Sequence, residues 1–168
     1  MGGAPLIGTT RRYAEARSRV ATGLSLLSAG TPMFFMGEEI AAQKPYRYDN
    51  VNAAKEDLHG ERAGAGAGMF HFFQDLIRLR TANPAIRSRH LDVVHADGPS
   101  RVIAFTRRTE QAEVLVVASL SNRPFLDGYV ITTAPDRLPP GQCRRSSTAI
   151  PAVTAARTSA TSAPPCGP

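Results

Sequence analysis

From Thr132 to Pro168 the chain reads TTAPDRLPPGQCRRSSTAIPAVTAARTSATSAPPCGP, without a single Phe, Tyr, Met, Lys or Glu. A segment so poor in bulky apolar residues buries too little surface to offset the entropy of ordering it, so 132–168 is expected to be disordered. Any core must come from the first 131 residues. The hydrophobic fraction of 42% is enough for one domain of ordinary size only if it is concentrated there.

The same break explains the charge. The net charge is +6, and the tail holds four Arg against one Asp, so half of the excess lies outside the core-forming part. No stretch interleaves Lys or Arg with aromatics, which argues against a nucleic-acid partner. Cys143 and Cys166 both fall in the tail, too few and too isolated for a metal site or a disulfide framework. MGGAPLIG lacks a charged start followed by an apolar run, and no segment approaches ~18 uninterrupted apolar residues. Neither a signal peptide nor a membrane span is expected, and a cytoplasmic location is.

Along the first 131 residues the periodicity changes twice. Arg12 to Ser28 places Ala16, Val20, Leu24 and Leu27 at helical spacing and stops at Ala29-Gly30. GTPMFFMGEE, Gly30 to Glu39, then reads as a short, fully buried strand, Met33 to Met36, closing in a charged turn. A long polar connection ends in the Gly/Ala-rich GERAGAGAG, expected to be mobile or wrapped over a surface. A second helix, Met69 to Thr81, aligns Met69, Phe72, Phe73, Leu76, Ile77 and Arg80, and Asn83-Pro84 stops it. Beyond Pro84 the pattern is extended: His90–His95, Arg101–Arg107 and Glu113–Ser119 are expected strands of an antiparallel meander.

With those elements placed, GTPMFFMGEE resembles the eighth barrel strand of the α-amylase family of glycoside hydrolases and transglycosylases. DLIRLRTANPAIRS, Asp75 to Ser88, resembles the last barrel helix of that family leading into its C-terminal β domain. RVIAFTRR and EVLVVASLSNRPFLDGYVI are similar to runs in bacterial glucan branching enzymes and their amylase-like relatives. The resemblance covers roughly Arg12 to Ile131. It implies an α/β plus β fold: the last βα portion of a TIM (β/α)8 barrel over 1–83, the start of an antiparallel β-sandwich domain over 84–131, and the tail over 132–168. It also implies α-glucans such as glycogen or starch as partners of the intact parent; from the residues themselves no cofactor and no metal are expected.

The family's catalytic groups are an Asp after the fourth barrel strand, a Glu after the fifth and an Asp after the seventh. All three would lie upstream of Met1, so no catalytic residue is assigned and the isolated chain is expected to be inactive. Glu38 and Glu39 do not replace them, because neighbours on a strand point to opposite faces while a retaining site holds its carboxyls about 5 Å apart. By resemblance Glu39 occupies the acidic position of the eighth-strand motif and would support the sugar-binding groups; the plainer reading is a solvated turn residue. Tyr46 and Tyr48 in the next loop could offer ring faces to glucose units, or simply pack the loop onto the barrel rim.

Other candidates are weaker. His59, His71, His90 and His95 show no zinc spacing. GERAGAGAGM lacks the Gly-Lys-Ser/Thr ending of a phosphate loop. The stripe of Phe70, Phe72 and Phe73 would face the missing barrel and so form an exposed apolar patch, and both edges of Met33–Met36 would lack partners; poor solubility or partial unfolding is expected.

After Ile131 the likeness ends abruptly. Allowed codons for Ser146 to Ala163, read in the frame that begins at the final G of an Arg145 codon, spell EFNSDSRRYGGENVGNVG. In each shifted codon two of the three bases are fixed by the residues present, apart from the choice between two codon families at each Ser and Arg. That peptide resembles the FNSD…YGG…GN stretch of branching enzymes, so a frameshift between about Ile131 and Arg145 is expected. Two alternatives to a branching-enzyme remnant stay open: an amylase-type hydrolase fragment, and a noncatalytic glucan-binding or interaction module.

Overall fold

The computed structural model describes residues 6–44, 47–50, 52 and 55–133. Helix α1 is Gly8–Leu27, four residues longer at its start than the sequence predicts. Its buried positions are Thr22, Gly23, Leu26 and Leu27, so its C-terminal half is the part that packs, against the later segments Ala67–Ala82 and Glu113–Ser119. Neither end of α1 is satisfied from within: Ile7 offers no capping side chain, the first turn has no acid and the last no base.

The expected strand Met33–Met36 does not form. The segment has no regular structure and passes into a turn at Met36, with Met33 87% and Met36 61% exposed, and among the described residues no strand lies beside it. A strand exists through the hydrogen bonds of its neighbours, and an isolated one leaves its backbone to water. The turn that closes it does form. Gly37 adopts φ +95, and a Cβ there would lie 2.8 Å from that of Ala42, so only glycine fits. A 3-10 turn, Glu38–Ile40, follows and buries Ile40.

The Gly/Ala-rich end of the polar connection begins with a short helix that its composition does not predict. Asp57 caps a short helix α2, Leu58–Ala63, by accepting the Gly60 N–H at 2.9 Å. Gly66 then seats against the 3-10 turn, where a Cβ would meet the Ile40 carbonyl oxygen at 2.5 Å. Helix α3, Ala67–Ala82, contains the predicted helix and buries Met69, Phe72, Phe73 and Leu76. The aromatic stripe is therefore largely core: Phe73 meets Phe34 and Phe72 edge-on, and Arg62 lies 4.2 Å from the Phe70 ring centroid. The exposed apolar surface is at Met33–Met36 instead. Asn83 is extended, as a residue before proline prefers, and helix α4, Pro84–Arg87, begins at once.

Three strands complete the structure: β1 Leu91–Asp97, β2 Val102–Arg108 and β3 Glu113–Ser119. They form an antiparallel sheet in the order β1-β2-β3, with a register shift between Val93 and His95. The predicted strands match within two residues, because hairpin register is set by alternation and by local turns. One face of the sheet gives Phe105 and Val116 to a core with Leu26, Leu27, Met69, Phe72, Phe73, Leu76 and Ile86. The other gathers Val102, Ala104, Val117 and Ile131, with Phe125 and Tyr129 packed against them.

Arg107 joins the elements. It is fully buried, and its guanidinium donates to the carbonyls of Leu27 at 2.6 Å, His90 at 3.0 Å and Ser88. Arg80 donates to Leu26 at 2.6 Å, Ser28 at 3.1 Å and Gly30 at 2.6 Å. Two cations from elsewhere in the chain thus satisfy the carbonyl end that α1 leaves open. Burial, and then the charge of Arg80, push the Arg107 guanidinium down from its ordinary value.

Candidate functional site

Glu39 sits half-buried in the 3-10 turn, and its carboxylate accepts the Gly37 N–H at 2.8 Å. The side chain closes its own turn, which is what a charged residue after a left-handed glycine does well. Tyr46 lies outside the described residues. Tyr48 is 85% exposed, flanked by Arg47 and Asp49. Those two form a bidentate pair, with Arg47 Nε 3.0 Å from Asp49 Oδ1 and its Nη2 on Oδ2. The pairing lowers the Asp49 carboxyl below its usual range and raises Arg47.

A second acid, Glu56, which no motif in the sequence marks, organises this loop. Glu56 Oε1 accepts from the backbone N–H groups of Gln43 and Lys44 at 3.1 and 3.0 Å, and Lys44 Nζ donates to the Lys55 carbonyl at 2.7 Å. The two arms of the loop are stitched at its base. Beside them Lys44, Lys55, Glu56, Asp57, Leu58 and His59 line an open cleft of about 590 Å³. The available signal was Asp57 three residues before Gly60, an N-cap spacing hidden in a stretch read as irregular.

The chemistry this loop offers is limited to hydrogen bonding. Glu39, Glu56 and Asp57 each already accept backbone N–H groups. Glu38 and Glu39 share the one 3-10 turn. Among the described residues no group of three or more His, Cys, Asp and Glu side chains is placed to hold a metal ion, and His95 is bonded to Tyr129 and Thr132.

No protein-family profile matches the chain. Neopullulanase 2 of Thermoactinomyces vulgaris is 29% identical over 109 residues, which is 65% of this chain and 18% of that protein. A cyclomaltodextrinase of Bacillus sp. is 28% identical over 88 residues, 52% of this chain and 15% of that one. The chain is thus similar in sequence to α-amylase-family glycoside hydrolases. It spans less than a fifth of the length of these curated relatives. Among solved structures, a pullulanase from Anoxybacillus sp. LM18-11 in complex with maltotetraose superposes with a TM-score of 0.54 at 22% identity, over 65% of this chain and 18% of that one. At that identity the likeness is one of fold. Among the described residues no helix is long and apolar enough to cross a membrane.

Proposed function

We propose that the chain derives from an α-glucan-active enzyme of the α-amylase family, most closely a 1,4-α-glucan branching enzyme, which moves a glucan segment from an α-1,4 to an α-1,6 linkage. In this reading residues 1–83 are the end of the catalytic barrel, 84–131 open the C-terminal β domain, and 132–168 are an out-of-frame tail. The glucan part rests on the likeness to neopullulanase and cyclomaltodextrinase. Branching rests on the alternate-frame peptide EFNSDSRRYGGENVGNVG, which codons allowed for Ser146 to Ala163 can spell.

On this reading the 168 residues have no glucan-transferring activity alone, since the family's acid and nucleophile are not among them. Glu39 is a turn-closing residue that shapes the rim, and Tyr46 and Tyr48 are sugar-stacking candidates in the intact parent. The parent is cytoplasmic. The test is to sequence the locus from about a kilobase upstream to a few hundred bases downstream, restore the reading frame and assay both products for new α-1,6 linkages. Branching by the restored protein and none by the short chain is the expected result. Codons that fail to encode the alternate-frame peptide, or branching by the short chain itself, overturn it.

The names of the curated relatives favour a second reading, a hydrolase parent. A restored protein that releases reducing ends from soluble starch without adding branches would establish it. Glycogen co-sedimentation of the short chain, lost when Tyr46 and Tyr48 become Ala, would instead point to a binding module.

A further inference from the structure

The two edges of the sheet are built differently. Along β1 the register shifts between Val93 and His95, and Asp92 and Asp97 put charge on the strand. Irregular register and charge are what keep an edge from pairing with another chain. The interior of β3 has neither. It pairs with β2 without a break from Glu113 to Ser119, and VLVVA, Val114 to Ala118, holds no charge, Pro or Gly.

The ladder fixes which backbone groups this edge presents. At one end of the hairpin the Thr109 N–H donates to the Ala112 carbonyl, and at the other the Leu120 N–H donates to the Arg101 carbonyl, both at 2.8 Å. Along an antiparallel pair, hydrogen-bonded and non-bonded positions alternate. Val114, Val116 and Ala118 therefore turn their N–H and C=O toward β2, while Glu113, Leu115, Val117 and Ser119 turn theirs away. Among the described residues no strand lies on that side. Both faces of β3 are covered, since Val116 shares a core with Leu26 and Leu27 of α1, and Val117 packs with Ile131, Phe125 and Tyr129. The groups left for a partner are those of the edge.

We propose that β3 is a pairing edge for a second copy of this chain, the two β3 strands running antiparallel about a two-fold axis at Val116. In that register Glu113 lies opposite the partner's Ser119 and Leu115 opposite the partner's Val117, so every outward N–H and C=O finds a mate. On the two faces Val116 meets its own copy and Leu115 meets the partner's Val117, pairs of the kind that stabilise a sheet.

Charge selects this register and this occupant. Glu113 is the only charged residue of β3, and the two-fold at Val116 sets the two copies of it at opposite ends of the pair, each against a serine hydroxyl. Moving the axis to Leu115 would place Glu113 against Val117 and leave Ser119 beyond the paired segment. The contact is isologous, and the guarded β1 edge does not extend it, so association stops at two copies.

The test is residue-resolved amide hydrogen exchange on the full chain at about 20 μM and about 1 mM, either side of the ~100 μM dissociation constant that so small an interface implies. In the dilute sample Val114, Val116 and Ala118 should be protected and Leu115 and Val117 should not. In the concentrated one Leu115 and Val117 should slow about fivefold, the inverse of the monomer fraction left at that affinity. Protection of those two at both concentrations would put a later segment of the same chain on the edge and overturn the proposal, and so would protection at neither. Sedimentation equilibrium checks the register. Ser119→Glu should weaken the dimer about tenfold, because two pairs of like charges then meet, and adding Glu113→Lys should restore it. An S119E variant that associates like wild type, or one that E113K does not rescue, overturns the pairing. Should S119E fail to fold, the exchange pattern of the wild type decides alone.

Discussion

Arg107 on β2 donates a hydrogen bond of 2.6 Å to the carbonyl of Leu27, the last residue of α1 and eighty positions earlier in the chain. With Ser88 and His90 as its further acceptors, this one buried side chain ties the sheet, the α4 exit and the long helix together. Arg107→Ala should cost about 3 kcal/mol, because several buried carbonyls lose a charged donor at once. Arg107→Lys should recover part of that, having a charge but no fork. Urea denaturation followed by circular dichroism measures both, and an alanine variant within error of wild type would remove Arg107 from its central place.

Gly66 and Gly68 make a matched pair two residues apart. A Cβ at Gly66 would meet the Ile40 carbonyl at 2.5 Å, whereas at Gly68 the nearest atom is the flexible end of Arg19 at 3.5 Å. Gly66→Ala should destabilise by about 2 kcal/mol through overpacking, while Gly68→Ala, in the first turn of α3, should gain a few tenths to about 1 kcal/mol. Equal shifts in the two thermal midpoints would show that the 3-10 turn yields freely.

Met33 and Met36 face water on a segment without strand partners. Replacing both with Ser should change folding stability by no more than about 0.5 kcal/mol, yet should lower light scattering in concentrated samples, since a flexible apolar edge invites association. Scattering that does not fall would place the sticky surface elsewhere.

Asp97 sets an acid limit. Its carboxyl is lowered from 3.8 to about 2, first by Ser100 and then by Tyr129. A depressed value means that the stabilisation is present above the ordinary carboxylate range and is lost as the pH falls through about 2. Thermal midpoints between pH 4 and pH 2 should therefore fall more steeply in wild type than in Asp97→Asn, and parallel profiles would exclude this group as the cause.

The hairpin strands and the apolar face of α3 were legible in the sequence because both depend on spacing within a few residues. Met33–Met36 was not, since whether an apolar run becomes a strand depends on neighbours that its own residues do not specify. Arg107 was equally hidden. At the end of a predicted strand it reads as a solvent-facing cation, and only the carbonyls of Leu27, Ser88 and His90 make its burial favourable. Of the candidate site, the Gly37–Glu39 turn was legible from Gly-Glu-Glu, whereas the stitching role of Glu56 rests on two backbone groups more than ten residues away.

Helix α1 is made before the groups that complete it: its carbonyl end waits for Arg80 and Arg107, which arrive 54 and 80 residues later. A helix of this length with neither end capped is marginal by itself in water. The meander, by contrast, closes only short loops between adjacent strands. We therefore expect the sheet to form early and α1 to dock late, leaving Leu26 and Leu27 open to chaperones while β2 is still inside the ribosome. Pulse-labelled hydrogen exchange should find the α1 amides among the last to gain protection.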